Sequence, residues 1–407
     1  MRFSFASALV LLCTACPASA QVKLGIDVLR DDGFKLLKGK RVGLVAHPAS
    51  VDSTLSPTVE ILRSAPGVKL VALFGPEHGV WGDEYGGDRI PDRTDPRTGL
   101  PAYSLYGPTR KPTAEMLKDI DALVFDLQDV GARSYTFAST MKVCLEACAE
   151  NAIDFVVLDR PNPLGGDVVD GNVLDPEYRS FVGMHPLAVR HGMTTGELAL
   201  MFREELALDV DLRVVKMRGW RRPMHFEDTG LPWVMTSPNI PTVDTAFVYP
   251  GGCLIEGTNL SEGRGTTRPF ELVGAPWLDA GVLARDLEEE RLPGVRFRAA
   301  AFTPTFQKHK DLMCHGVQLH VTDRGRFPAF LSYLLVIRHA RRQDPKRFAW
   351  RDPPYEYEHV KRPIDIISGT SRVRTALEQG VSPKQLVPGF RKDSAAFRRR
   401  RRKYLLY

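Results

Sequence analysis

The segment FGPEHGVWG (74–82) places two ionisable side chains, Glu77 and His78, on a turn that follows an apolar stretch. A glycine and a proline precede them and a glycine follows, so the backbone is expected to turn sharply there. Apolar neighbours such as Trp81 raise the pKa of a carboxyl, because they disfavour its charged form. Glu77 could then act as a general acid near neutral pH, with His78 tuning it or binding substrate. The alternative is that Glu77 is only a turn or helix-capping carboxylate.

A second concentration of chemistry lies in TNLSEGRGTTRPFE (258–271), where polar side chains alternate with glycines. Side chains of these types hydrogen-bond sugar hydroxyls and amides, and arginine binds carboxylates through two parallel hydrogen bonds. The alternative is a surface loop in which glutamate and arginine pair with each other. The candidate residues in this segment are Asn259, Ser261, Glu262, Arg264, Thr266 and Arg268.

The elements that must position these residues alternate between strands and helices. Continuous apolar strands separated by helices predict a parallel sheet that is covered on both faces. The predicted strands are 41–46, 68–74, 121–127 and 154–159, and the predicted helices between and after them are 58–65, 113–120 and 140–152.

Polar segments follow each of these strands. In an open α/β sheet the carboxyl ends of the strands share one edge, where ligands bind. The residues expected to converge there with Glu77 and His78 are Asp126, Asp129, Arg133, Asp159, Arg160 and Asn162.

The rest of the chain predicts a second, smaller α/β domain. A helix at 194–206 and a strand at 212–217 extend the first domain, and the Pro-Gly stretch in YPGG (249–252) suggests a break after it. The predicted limits are therefore 23–252 for the first domain and 253–407 for the second. Predicted elements of the second domain are helices at 281–291, 328–343 and 382–402 and strands at 295–301 and 316–322.

The first twenty residues read as a secretory signal peptide. A basic start precedes a short apolar stretch and an Ala18-Ser19-Ala20 cleavage pattern. An alternative is that Cys16 is a lipidated first residue. No later segment has the roughly 18 apolar residues that a membrane span needs. These features predict an exported protein, periplasmic or secreted.

The net charge of +6 is concentrated in RRRRRK (398–403), so the rest of the chain is close to neutral. A nucleic-acid-binding arm is one interpretation of such a run. We favour a solvated face on a terminal helix whose apolar end is docked, and therefore expect no nucleic-acid partner.

Common cofactor and metal motifs are missing from the sequence. No G-x-G-x-x-G follows the first strand, and beyond the predicted leader neither H-E-x-x-H nor C-x-x-C is present. His185 and His191 with DLQD (126–129) could hold a hard cation, although a structural role is the preferred interpretation. A bridge between Cys253 and Cys314 would be compatible with an oxidising compartment. We expect no cofactor and no metal.

Long segments of the chain resemble the DUF1343 family, whose characterised members are exo-β-N-acetylmuramidases of glycoside hydrolase family 171. The resemblance covers nearly all of the chain beyond the leader. It rests on FGPEHG, SLYG, VFDLQDVGARSYTFASTM, VVLDRPNPLGG, FVGMHPLAVRHGMTTGELA, SPNIPT, YPGGCLIEGTNLSEGRGTTRPFELVGAPW and the closing YLLY.

The resemblance implies a Rossmann-like domain, a smaller C-terminal domain and a substrate cleft between them. It also implies release of N-acetylmuramic acid from the non-reducing end of peptidoglycan fragments, in cell-wall turnover, with Glu77 as the catalytic glutamate. The second carboxylate is expected to be Glu262 or Asp126, unless the acetamido group of the substrate assists instead.

The residues fit this activity, because muramic acid carries a lactate carboxylate that needs a cation. The candidate cations are Arg133, Arg160, Arg264 and Arg268, and the aromatic rings that could stack on a sugar are Trp81, Tyr135 and Trp277. The same residues would serve a non-catalytic protein that binds cell-wall sugars. A third interpretation is a metal-dependent hydrolase of esters or amides.

Overall fold

The computed structural model describes residues 21–82 and 92–407. The predicted signal peptide and Cys16 lie outside this part of the chain. The strands are β1 (Arg41–Ala46), β2 (Lys69–Gly75), β3 (Arg93–Thr94), β4 (Pro101–Ser104), β5 (Ala122–Asp126), β6 (Asp154–Leu158), β7 (Asp170–Val173), β8 (Ala188–Arg190), β9 (Leu212–Val215), β10 (Leu272–Ala275), β11 (Val295–Phe302) and β12 (Cys314–Val321). The α-helices are α1 (Gly25–Asp31), α2 (Thr58–Ser64), α3 (Ala114–Leu117), α4 (Thr136–Glu150), α5 (Thr195–Glu205), α6 (Val243–Gly252), α7 (Ala280–Glu289), α8 (Ala329–Gln343), α9 (Pro363–Ser368), α10 (Arg372–Glu378) and α11 (Pro383–Arg401).

The first part of the chain forms a seven-stranded sheet in the order β3-β4-β2-β1-β5-β6-β9. Every neighbouring pair is parallel except β3 and β4. Successive residues of each strand point to opposite faces. Val45 and Phe125 therefore pack on one face with α4 and α5, whereas Leu44 and Val124 pack on the other with α1 and α2. The α/β fold predicted from the sequence is confirmed.

The second part is built on a three-stranded antiparallel sheet in the order β10-β12-β11. In β11, Val295 and Phe297 are buried while Arg296 and Arg298 are exposed, so this sheet covers a core on one face only. Helices α7 and α8 supply apolar side chains to the same core. The smaller second domain is also as predicted.

Two helices join the parts. The YPGG stretch read as a break lies inside α6, which packs against α8 so closely that a Cβ on Gly251 would sit 2.2 Å from the Ala329 carbonyl oxygen. Helix α11 lies beside the β7–β8 hairpin, where the Ser394 hydroxyl donates to the Gly171 carbonyl at 2.6 Å. Connections of this kind fix the two parts relative to each other.

The arginine run forms the end of α11 and the segment after it. Arg401 is buried and donates to the carbonyl of His191, and Arg400 pairs with Glu205. The Tyr407 hydroxyl donates to Asp159 at 2.6 Å. Arg398, Arg399 and Arg402 are exposed to solvent. The run therefore contacts the first domain through some of its arginines and faces solvent with the others.

Cys144, Cys148, Cys253 and Cys314 are buried free thiols, so the bridge between the last two is not formed. Within residues 21–82 and 92–407, no helix combines the length and apolar character that crossing a bilayer demands.

Candidate active site

Glu77 lies just beyond the carboxyl end of β2, on a turn closed by a hydrogen bond from the Gly79 amide to the Pro76 carbonyl (2.9 Å). His78 and Gly79 both adopt positive φ, 72° and 75°, which this tight turn requires. The Thr136 hydroxyl, on the first residue of α4, donates to Glu77 Oε2 at 2.8 Å. The sheet edge and α4 therefore hold the Glu77 carboxyl in one position.

Burial raises the pKa of the Glu77 carboxyl above its ordinary value. The hydrogen bond from Thr136 and the charge of Arg264 oppose that rise without cancelling it, and the negative charge of Glu256 adds to it. The environment thus favours the protonated acid at higher pH than for a glutamate in water.

A cavity of about 880 Å³ opens over Glu77 and is lined by residues of both parts of the chain. Two further carboxylates face it. Glu256 belongs to the turn that follows α6, and Glu356 belongs to a segment before α9. Three carboxyl groups from distant parts of the sequence therefore surround one space.

Glu256 is the carboxylate most firmly held in its charged form. Arg264 Nη2 donates to Glu256 Oε1 at 2.7 Å, and the Tyr355 hydroxyl donates to Oε2 at 2.8 Å. Burial raises the pKa of Glu256, but the Arg264 charge and these hydrogen bonds, with Lys308, outweigh burial and leave the pKa below its ordinary value.

Glu356 has the opposite tendency. Burial and the nearby charge of Glu77 raise the pKa of Glu356 to about 8, although the Tyr106 hydroxyl donates a hydrogen bond to it. Glu356 and Tyr357 both have positive φ, 47° and 67°, a conformation rare for residues with side chains. The site thus combines two carboxyls that favour the protonated form with one that favours the ionised form.

Several residues predicted from the sequence are brought together here. Asn259 and Arg264 line the main cavity with Glu77. His78 and Tyr135 line a small pocket of about 40 Å³ beside it, whose walls share Glu77 with the main cavity. The Tyr135 hydroxyl donates to the Thr236 carbonyl at 2.8 Å.

Other predicted residues end at the same sheet edge but are used within the protein. Asp126 is fully buried and pairs with Arg160, whose Nε lies 2.6 Å from Asp126 Oδ1. Arg133 donates to four backbone carbonyls. They belong to Asn172, Leu187 and the last two residues of α9, Ile367 and Ser368. None of Asp126, Arg160 and Arg133 lines the main cavity.

Asn162 is likewise buried, and its amide donates to the Met193 carbonyl at 2.9 Å. Glu262 is 2% exposed and lies behind the cavity wall, between Lys308 Nζ at 2.7 Å and Arg264 Nε at 3.2 Å. Glu262 therefore holds Arg264 in place and does not itself line the cavity.

Arg268 pairs with Glu271 at 3.3 Å, outside the cavity lining. The Trp81 indole donates to Asp95 at 2.7 Å, and Arg97 lies over its ring at 4.1 Å. Trp277 packs against the core, so these aromatic rings are not at the cavity surface.

The histidines considered for a cation have protein partners. His185 Nε2 lies 2.7 Å from a Glu205 oxygen and His191 Nδ1 accepts from the Met193 amide at 3.2 Å. In the described part of the chain, no three His, Cys, Asp or Glu side chains are grouped as a metal site.

Sequence reasoning missed Glu256, Glu356 and the tyrosines that bind them. Glu356 lies in YEYEH (355–359), where aromatic and acidic residues alternate, and this alternation is the signal that was available. Glu256 lies two residues before the segment 258–271, but it stands in an apolar run.

Comparison with known proteins agrees with this architecture over the whole chain. A family model described as "Exo-beta-N-acetylmuramidase NamZ, N-terminal" matches residues 42–244, and one described as "Exo-beta-N-acetylmuramidase NamZ, C-terminal" matches residues 247–407. A Bacillus subtilis (strain 168) protein named peptidoglycan beta-N-acetylmuramidase NamZ is 49% identical, across 100% of this chain and 99% of its own length.

Two crystal structures of DUF1343 family proteins from Bacteroides fragilis share the fold. One has a TM-score of 0.85 at 42% identity and the other a TM-score of 0.74 at 30% identity. Each alignment covers 95% of this chain and 99% of the other. From these matches, the chain belongs to the exo-β-N-acetylmuramidase NamZ family.

Proposed function

We propose that the protein is an exo-acting glycosidase that releases N-acetylmuramic acid from the non-reducing end of peptidoglycan fragments. The similarity to a peptidoglycan β-N-acetylmuramidase over the full length supports this activity. The observation that carries it is the opposed tendency of the carboxyls around one cavity, since glycoside hydrolysis needs one protonated and one ionised carboxyl.

Glu77 is the general acid in this proposal. Its raised pKa favours the protonated carboxyl, which gives its proton to the glycosidic oxygen as the bond to the anomeric carbon breaks, and water then adds to that carbon. Thr136 holds the carboxyl through a hydrogen bond to Oε2.

Glu256 takes the role of the ionised carboxylate, in preference to Glu262 or Asp126, because it faces the cavity and they do not. Its negative charge stabilises the positive charge that develops on the sugar ring in the transition state. Arg264 and Tyr355 keep it ionised and oriented.

Binding of the sugar falls to groups on the cavity wall. Asn259 and His309 supply polar groups, and Tyr355 and Tyr357 supply aromatic rings of the kind that pack on sugars. We assign stacking to these tyrosines instead of Trp81, Tyr135 and Trp277, which are not in the lining of the main cavity. We further propose export through the leader at 1–20 and the domain limits 23–252 and 253–407.

The test is product analysis with a disaccharide of N-acetylmuramic acid linked to N-acetylglucosamine. The wild type should release free N-acetylmuramic acid, and Glu77→Gln should lower kcat by about 100-fold or more, the size of a general-acid contribution. Glu60→Gln is the matched control, because Glu60 is exposed on α2 and does not line the cavity.

The same experiment separates the two other functions. A sugar-binding protein would bind the disaccharide without turnover in the wild type, which would refute the glycosidase. Loss of turnover on treatment with a chelator would instead support a metal-dependent hydrolase.

A further inference from the structure

A second cavity of about 580 Å³ adjoins the catalytic cavity, and the two share Glu356 and Tyr357 as a common wall. We call it the basic annex, because four of its lining side chains are cationic: Arg110, Lys142, Arg179 and Arg400. It lies between the segment before α9, the end of α5 and the loop around Phe181. A substrate in the catalytic cavity would therefore have a basic pocket directly beside it.

Two of these cations are neutralised within the protein. Lys142 pairs with Glu146 at 2.5 Å, and Arg400 pairs with Glu205. Arg110 and Arg179, by contrast, form no ion pair with any residue in the ranges 21–82 and 92–407. The annex thus has two arginines whose charge is not balanced by a described partner.

Arg110 is also held in an unusual way. Its guanidinium lies over the Tyr357 ring at 3.4 Å and near the Phe181 ring at 5.5 Å, and its Nε is buried with no hydrogen-bond partner among the described residues. Stacking on aromatic faces fixes the plane of a guanidinium and leaves its N–H groups free to bind in that plane. Such a group is suited to a carboxylate, which accepts two parallel N–H bonds.

The acidic residues of the annex do not cancel this charge. The Glu205 carboxylate is hydrogen-bonded to Arg400 and to His185. Glu358 accepts from the backbone amides of Val360 and Lys361. Glu356 is hydrogen-bonded by Tyr106 at the wall shared with the catalytic cavity.

We propose that the basic annex binds a carboxylate of the glycan substrate, with Arg110 and Arg179 as its partners. This inference rests on the proposed function, since muramic acid is the sugar that carries such a group as a lactate ether. Two arginines predicted from the sequence to bind the lactate carboxylate are engaged within the protein. Arg133 donates to backbone carbonyls, and Arg160 pairs with Asp126. The carboxylate could belong to the sugar that is cleaved or to a second muramic acid further along the chain.

Two substrates distinguish these sources: 4-nitrophenyl N-acetylmuramide, with one lactate, and a tetrasaccharide of alternating muramic acid and glucosamine, with two. Arg110→Gln and Arg179→Gln should each lower kcat/KM about 10- to 100-fold, the usual value of a charge-assisted contact. A decrease on both substrates means that the annex binds the cleaved sugar. A decrease on the tetrasaccharide alone means that it binds the second muramic acid. Wild-type values on both would overturn the proposal.

Two comparisons show whether the carboxylate is the group being recognised. With the lactate methyl ester of each substrate, the wild type should lose activity and Arg110→Gln should lose nothing more. Arg110→Lys keeps the charge without the planar fork and should fall between the wild type and Arg110→Gln. Arg342→Gln, an exposed arginine on α8, is the charge-matched control and should equal the wild type.

Binding measured without turnover separates this inference from the proposed function. Calorimetric titration of the Glu77→Gln protein with the tetrasaccharide should give an affinity that Arg179→Gln lowers by the same factor. An affinity unchanged by Arg179→Gln would refute the annex even if the wild type is active. A protein that binds through Arg179 but releases no sugar would refute only the glycosidase.

Discussion

Replacing Glu356 by Gln should make folding stability less sensitive to alkaline pH. Burial and the charge of Glu77 raise the pKa of Glu356 from 4.5 to about 8 in the folded protein. The folded state therefore holds this proton more tightly than the unfolded chain. The stabilisation is complete below about pH 4.5, decreases as the pH rises and is lost once the pH passes about 8.

The size of the effect follows from this difference in pKa. At about 1.4 kcal/mol per pH unit, a rise from 4.5 to about 8 corresponds to about 5 kcal/mol as an upper limit. The side chain of Glu356 keeps some exposure at the cavity wall, where solvent screens its charge. We expect the measured difference to be about 2 kcal/mol.

The assay is urea unfolding at about pH 5 and about pH 9 for the wild type, Glu356→Gln and Glu60→Gln. The free energy of unfolding of Glu356→Gln should decrease by about 2 kcal/mol less than that of the wild type between these pH values. Glu60 is exposed, so Glu60→Gln should follow the wild type. If Glu356→Gln loses as much stability as the wild type, the buried acid at this position is refuted.

Two further substitutions test the contacts of the site and of the chain's last residues. Thr136→Val removes the donor that lowers the pKa of Glu77, so the alkaline limb of kcat/KM should move to higher pH, while Thr140→Val, one turn further along α4, should leave it in place. An alkaline limb that does not move would contradict the role of Glu77 as the acid. Tyr407→Phe removes the hydrogen bond to Asp159 and should lower the free energy of unfolding in urea by about 1–3 kcal/mol; an unchanged value would mean that this contact does not stabilise the fold.

The central strands could be predicted because a continuous run of apolar residues is typical of a strand that is buried on both faces. Strand β1 was expected at 41–46 and is observed at Arg41–Ala46, since both faces of a central parallel strand are apolar. The helix expected at 194–206 begins after Thr194, whose hydroxyl caps the Glu197 amide. Short elements without a period, such as the β7–β8 hairpin, gave no comparable signal.

The site was only half predictable, for a different reason. Glu77 follows a strand, and the topology rule places such residues at the binding edge. The same rule includes Arg133 and Asp126, but it cannot tell a side chain that faces the cavity from one that satisfies buried partners. Glu356 reaches the cavity from 279 positions further along the chain than Glu77, and no local pattern reports such a contact.

The docking of residues 400–407 on the first domain has a consequence for biosynthesis. Asp159, at the end of β6, receives one of its hydrogen bonds from Tyr407, and Arg401 binds the carbonyl of His191. A ribosome must therefore translate about 400 codons before the early sheet acquires its last partners. Until then Asp159 lacks one of its donors and the His191 carbonyl lacks Arg401, so a stalled or truncated product would be an easier target for quality-control proteases.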